Sequence, residues 1–187
     1  MSQIYIEVDQ KDLHRVMSKL KDMEKAPRHL RDAINRTATV AMRMIKKGRS
    51  QGYTVKTSRF NADLGKIQRA TVGHLDAKIH AKGRPPTLRN FKTSKTGDKA
   101  NITGDGLKKL VTDTGGVAFI PSGGKAEGLI VQRKGKERHP IKVLYGNSVP
   151  KMVEQIYQGK RGRQGDMEGI IKKRLHDEIQ AEIAKIM

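Results

Sequence analysis

The sequence predicts an α+β fold: a small, mostly antiparallel sheet with a long β-hairpin, flanked by N-terminal helices and a C-terminal amphipathic helix. Apolar residues recur at helical spacing towards both ends, as Leu30, Ile34, Ala41 and Ile45 and again as Met167, Ile171, Leu175, Ile179, Ile183 and Ile186. Between them, short β-branched runs are separated by Gly- and Pro-containing turns. The clearest pair lies in residues 128–153, GLIVQRKGKERHPIKVLYGNSVPKMV, where two β-prone runs flank a charged tip at Lys134-Gly135-Lys136.

In chain order, Ile4, Ile6 and Val8 alternate with polar residues and predict a strand. Asp9 or Asp12 caps a helix with Leu13, Val16, Met17, Leu20 and Met23 on one face. Pro27 breaks that helix and starts a second, where it suits the first turn. Arg28, Arg31, Arg36 and Arg43 occupy the polar face of this second helix, and Gly48 is expected to end it. Phe60, Leu64 and Ile67 fit a short helix that exposes Lys56, Arg59, Lys66 and Arg69. Residues 70–82 read as a strand on which His74 and His80 share a face, stopped by Gly83-Arg84-Pro85-Pro86.

Residues 92–106, KTSKTGDKANITGDG, are poor in apolar side chains and read as a flexible loop or arm. Val117-Ala118-Phe119-Ile120 is a further strand, followed by the hairpin. Gly146-Asn147-Ser148 then supplies a turn and a cap, with Pro150 placed to start a helix running to Ile156. Residues 159–165, GKRGRQG, read as a basic hinge before Asp166 caps the last helix. One domain over 1–187 is the expected organisation.

Composition narrows the function. The formal net charge is +20, and residues 43–100 hold 15 Lys and Arg against 3 Asp and Glu. Charge this concentrated calls for a polyanionic partner, usually nucleic acid or an acidic surface. Hydrophobic residues make up 35% and aromatic residues 4% of the chain, lean for a core of this length, so the chain is expected either to keep flexible segments or to complete its burial against neighbouring subunits. The absence of Cys excludes disulfides, thiolate metal sites and cysteine nucleophiles. With no secretory apolar stretch and no run near the roughly 18 residues of a membrane span, a soluble protein without membrane contact is expected.

A catalytic role finds little support. The six His are scattered and nominate no metal site; Gly104-Asp105-Gly106 and Gly123-Gly124-Lys125 lack the form of a phosphate-binding loop. Asp98, Asp105 and Asp113 have no spacing that suggests a nuclease centre. The expectation is a non-enzyme without a cofactor. Few aromatics and no recognisable reading motif leave nucleic acid to be met as backbone charge. Lys46, Lys47, Arg49, Lys56, Arg59, Arg161 and Arg163 are the DNA-facing candidates.

The stretch VQRKGKERHPIKVLYGNSVPKMV resembles the C-terminal signature of the minor tail protein Z family of tailed bacteriophages and prophages, a basic "RKGK-R-PI" hairpin followed by "LYG-SVP-M". Two weaker matches, Ala33-Ile34-Asn35-Arg36-Thr37 and Lys66-Ile67-Gln68-Arg69-Ala70, lie upstream in the expected order. The chain departs from the family in a longer, more polar stretch around 92–106 and a glycine-broken tail after 159. The resemblance implies a structural virion protein, a tail-completion component at the head-proximal end of the tail. Such a protein would help join head to tail and pass DNA into the tail, as a homo-oligomeric ring, six-fold by expectation. Its partners would be other phage tail and neck proteins and, without sequence specificity, phage DNA; it would reside in the virion and, during assembly, in the host cytoplasm. On this reading Lys134, Lys136, Arg138 and Tyr145 make subunit contacts, with Val149 and Pro150 setting the chain path. The alternative is a basic, non-sequence-specific nucleic-acid-binding protein of the cell, discriminated by steeply salt-dependent duplex binding as a monomer.

Overall fold

Helix α1 (Ala26–Gly52) is the element on which the others are laid. The computed structural model describes residues 2–7, 26–112, 115–163 and 165–185. The expected helix at 9–23 and Val8 of the first strand therefore lie outside the described residues. Pro27 falls in the first turn of α1, where its missing N–H is harmless. Leu30, Ala33, Ile34, Ala38, Ala41 and Ile45 are all buried along one side. Small alanines among the larger side chains let neighbouring elements approach the helix backbone closely.

Gly48 does not end α1. The helix runs on to Gly52, and Gly48 faces helix α3 (Val149–Tyr157), where an added β-carbon would collide with the Ile156 side chain. A β-carbon on Gly52 would come within 2.7 Å of the Gly162 amide nitrogen. These glycines serve close packing, which is why the terminator reading fails. Arg161 and Gly162 lie against the C-terminal end of α1 on the same contact, with Gly162 at φ +91.

The main sheet is antiparallel in the order β1-β3-β2, from β1 (Ser2–Glu7), β2 (Leu64–Gln68) and β3 (Asp76–Ala81). Ala77, Ile79 and Ala81 alternate inward from the central strand, and Ile4 pairs with Ile79. Helix α2 spans only Thr57–Asp63, so Leu64 and Ile67 belong to a strand and not to the expected helix. The cause of the misreading is a bulge. Leu64 pairs with Ala81 and Ile67 with Ile79, so residues three apart on β2 oppose residues two apart on β3. Leu64 and Ile67 thereby share a face at a spacing that imitates a helix. The strand expected over 70–82 begins only at Asp76, because a turn closes between Thr71 and His74 through two backbone hydrogen bonds of 2.8 and 3.2 Å. His74 therefore does not share a strand face with His80, whose Nε2 pairs with Gln68 Oε1 at 2.7 Å.

Residues 87–112 and 115–146 form a second, β-rich lobe. The segment 92–106 contributes two strands, β4 (Lys92–Thr93) and β5 (Lys99–Asn101), which join β6 (Lys108–Lys109) in a small antiparallel sheet. Ser94 and Thr96 donate their hydroxyls to Asp98, closing the β4–β5 turn. Polar composition hid this sheet because only Ala100 and Asn101 are buried in it. The 117–120 strand reduces to single bridges, Val111 to Val117 and Phe119 to Val131. The hairpin forms as β7 (Val131–Arg133) and β8 (Ile141–Val143), in register Val131 opposite Val143. The lobe is tied to α1 through Tyr53 to Lys56: Thr54 N–H donates to the Ile102 carbonyl at 3.1 Å and Lys56 N–H to the Asn90 carbonyl at 2.8 Å.

Helix α3 starts as the sequence predicts, with the Ser148 side chain accepting from Lys151 N–H and Pro150 in the first turn. Helix α4 (Met167–Ala184) is capped by the Asp166 carboxylate, which accepts from the N–H groups of Glu168 and Gly169. Met167, Ile171, Leu175 and Ile179 turn inward, and the helix lies along α1. Among the described residues no helix is long and apolar enough to cross a membrane.

Candidate functional site

Two surfaces gather the residues that the sequence singles out. The first is built on the hairpin. Ile130 and Val131 are buried and anchor its first strand, while Lys134 N–H donates to the Pro140 carbonyl at 3.1 Å and closes the loop. Lys134, Lys136 and Arg138 are exposed on that loop and form no ion pair among the described residues. Arg133 at its base stacks over the Phe119 ring at 5.6 Å, beside a cleft of about 510 Å³ between the 115–119 segment and the tip.

Tyr145 is 57% exposed, so it is a surface residue. Gly146 behind it is required by packing, since a β-carbon there would strike the Phe91 ring. Val149 and Pro150 are buried under the start of α3 and cannot present themselves to a partner. Setting the chain path is the part they play. The lobe also exposes Leu107, Val111, Val117 and Ile120, each between 38% and 47%, near the small sheet and the hairpin. Sequence reading missed these as contact candidates, because apolar residues in short β segments are normally read as core.

The second surface is a basic groove beside α1. Its geometry depends on Asn35, whose side chain pairs with both backbone groups of Ala70: Nδ2 donates to the carbonyl at 3.1 Å and Oδ1 accepts from the N–H at 2.9 Å. The two upstream motif segments, 33–37 and 66–70, are thus joined directly. Arg43 from α1 and Arg69 just after β2 line one hollow of about 760 Å³, and Lys46, Lys66 and Arg69 line a second of about 470 Å³, the two meeting at Arg69. At one end Arg36 reaches α4, bonding Glu178 Oε2 at 2.8 Å and Glu182 Oε1. Glu182 is buried and also bonded to His29 at 2.7 Å and Lys185 at 2.6 Å. The His29 hydrogen bond, then those from Lys185 and Arg36, hold its carboxyl down to about 2.

The expected DNA-facing candidates scatter. Lys46 and Lys47 are exposed on α1, and Lys46 lines the groove. Arg49 turns inward instead, donating to the Val55 carbonyl at 3.3 Å and lying 6.0 Å from the Phe60 ring centre. Arg59 pairs with Asp63 at 2.9 Å and Arg161 with the exposed Asp105 at 3.1 Å. Lys56 and Arg163 are exposed away from the groove lining, Arg163 at φ +53. Asp98 and Asp105 are turn acceptors. The Thr96 and Ser94 hydroxyls lower the Asp98 pKa, and Thr103 and Arg161 lower that of Asp105. Among the described residues no group of three or more His, Asp and Glu converges as a metal site would require.

Comparison with protein-family models, curated proteins and solved structures returns no match.

Proposed function

We propose that this protein is a structural component of a tailed phage or prophage virion, a tail-completion protein at the head-proximal end of the tail. The observation that carries the reading is the two-sided build of residues 128–153, the segment with the family resemblance. Its inner side, Ile130, Val131, Val149 and Pro150, is locked into the core, while Lys134, Lys136, Arg138 and Tyr145 project outward. Exposed Leu107, Val111, Val117 and Ile120 lie in the same lobe, an apolar set that a partner would cover. The protein works by assembly: identical subunits make heterologous contacts that close into a ring, and the hairpin lobe meets a neighbour.

The alternative, a basic nucleic-acid-binding protein of the cell, draws on the groove at Arg43, Lys46, Lys66 and Arg69. Light scattering and negative-stain imaging near physiological salt, followed by incubation with tails lacking this component, separate the two. Discrete rings, or stoichiometric binding to such tails, are the expected result. A protein that stays monomeric and ignores tails, yet binds duplex DNA with affinity that collapses as salt rises, would transfer the assignment to the alternative.

A further inference from the structure

We infer that the groove between α1 and β2 is a sequence-independent binding site for the phosphate backbone of duplex nucleic acid. The inference needs neither reading above, since a virion lumen and a cellular nucleoid offer the same polyanion.

Compensation is uneven along the groove. At the α4 end the cations are matched: Arg36 and Arg174 share Glu178, and Arg31 pairs with Asp32. At the β2 end Arg43, Lys46, Lys66 and Arg69 are exposed and have no ion pair among the described residues. Gathering like charges from α1 and β2 around the same hollows costs electrostatic free energy, and the Asn35 clamp on Ala70 ties the two elements together beside them. An anion placed among them relieves the repulsion.

Spacing favours a continuous polyanion over a single phosphate. Arg43 and Lys46 are three residues apart on a helix, about 4.5 Å along its axis. Lys66 and Arg69 are three apart along a bulged strand and its exit, roughly 10 Å. Duplex DNA carries one charge per about 1.7 Å of axis, so phosphates reach this array in any register. Arginine forks suit bidentate phosphate contacts. No aromatic residue lines either hollow, so nothing is available to stack bases. The lining also lacks the exposed large apolar anchor that a protein partner would use, which favours phosphate over an acidic protein.

The test is fluorescence anisotropy with a 30-base-pair duplex of scrambled sequence, titrated across roughly 50–200 mM salt. The variant Arg43→Gln, Lys46→Gln, Lys66→Gln, Arg69→Gln is compared with a charge-matched control at exposed lysines off the groove and off the hairpin tip, Lys95→Gln, Lys125→Gln, Lys160→Gln, Lys173→Gln. Each lost phosphate contact should flatten the slope of log affinity against log salt by about 0.9, hence by about 3 to 4 for the groove variant. At 100 mM salt its affinity should fall by about tenfold or more, with the control within about threefold of the parent. Arg43→Lys with Arg69→Lys should retain most of the slope. Circular dichroism melting, which these exposed substitutions should leave unchanged, separates loss of contact from loss of fold. Equal losses in groove and control variants, or groove-dependent binding to polyglutamate without duplex binding, would overturn the assignment. Ring formation and tail binding by the groove variant are scored separately, so the DNA site and the assembly reading can fail independently.

Discussion

The helical body and the β lobe handle burial in opposite ways. In the body, α1 and α4 close on each other through buried Ile, Leu and Ala, and the buried carboxylate between them, Glu182, has three cationic or imidazole partners. In the lobe, strands of two and three residues enclose few large side chains and leave Leu107, Val111, Val117 and Ile120 partly in water. Exposure is uneven: among the described residues the body leaves Val72 and Ile170 largely in water, whereas the lobe leaves Leu107, Val111, Val117, Ile120 and Tyr145. On the assembly reading proposed above, the body would keep the subunit folded while the lobe supplies association energy.

The sharpest way to break the contrast is to attack the body where backbone meets backbone. Gly162→Val places a side chain against the Gly48 backbone, 2.7 Å away at the β-carbon alone, at a φ of +91 that valine rarely adopts. A loss of about 3 kcal/mol or more is expected in urea unfolding, enough to loosen the whole helical half. No exposed substitution in the β lobe should approach that.

Next in size is Glu182→Gln, expected to cost about 2 kcal/mol because charge-assisted hydrogen bonds to His29, Arg36 and Lys185 weaken together. The sign with pH follows from the depressed carboxyl. Its contribution is fully present above the ordinary carboxylate value of 4.5 and is lost as pH falls towards about 2. The stability gap between parent and variant should therefore shrink as pH falls below about 4.5 and close as pH passes below about 2. A gap that persists at low pH would show that the carboxylate charge is not what joins α4 to α1.

Asn35→Ala should cost about 1–2 kcal/mol, since it removes a two-bond clamp and strands both backbone groups of Ala70. Faster hydrogen exchange at the Ala70 amide is the local readout, and weaker duplex binding should accompany it. The smallest effect on stability belongs to the lobe. Leu107→Ser with Val117→Ser should shift unfolding by no more than about 0.5 kcal/mol, because both side chains are already substantially solvated. The same pair should reduce ring formation measured by light scattering. A large loss of stability with unchanged assembly would reverse the comparison between the two halves.

Much of the architecture was legible from local chemistry. Ser148 with Pro150, and Asp166, announced two helix starts, because caps act on the nearest backbone N–H groups. The hairpin at 131–143 was equally plain from its two β-prone runs and charged tip. Three features were hidden. The β2 bulge gave Leu64 and Ile67 a helical spacing on a strand. The small sheet at 92–109 contains almost no apolar signal, since backbone pairing and hydroxyl-capped turns hold it. Gly48 looked like a terminator because a close interhelical contact leaves the same residue in the sequence as a helix end.

The candidate surfaces divide along the same line. The sequence by itself determined the total charge, its concentration in residues 43–100, the helix caps, the amphipathic α4 and the outward tip of the hairpin, all set by composition or by neighbours within a few residues. Tertiary structure alone decided which cations act together. Arg49 was drawn inward and Arg59 and Arg161 were paired with carboxylates, while Arg43, Lys46, Lys66 and Arg69 were left to line adjoining hollows. The physical reason is that a charge is neutralised or left free by whatever lies within a few ångströms of it, and for Arg69 that environment is fixed by Asn35, more than thirty residues earlier in the chain.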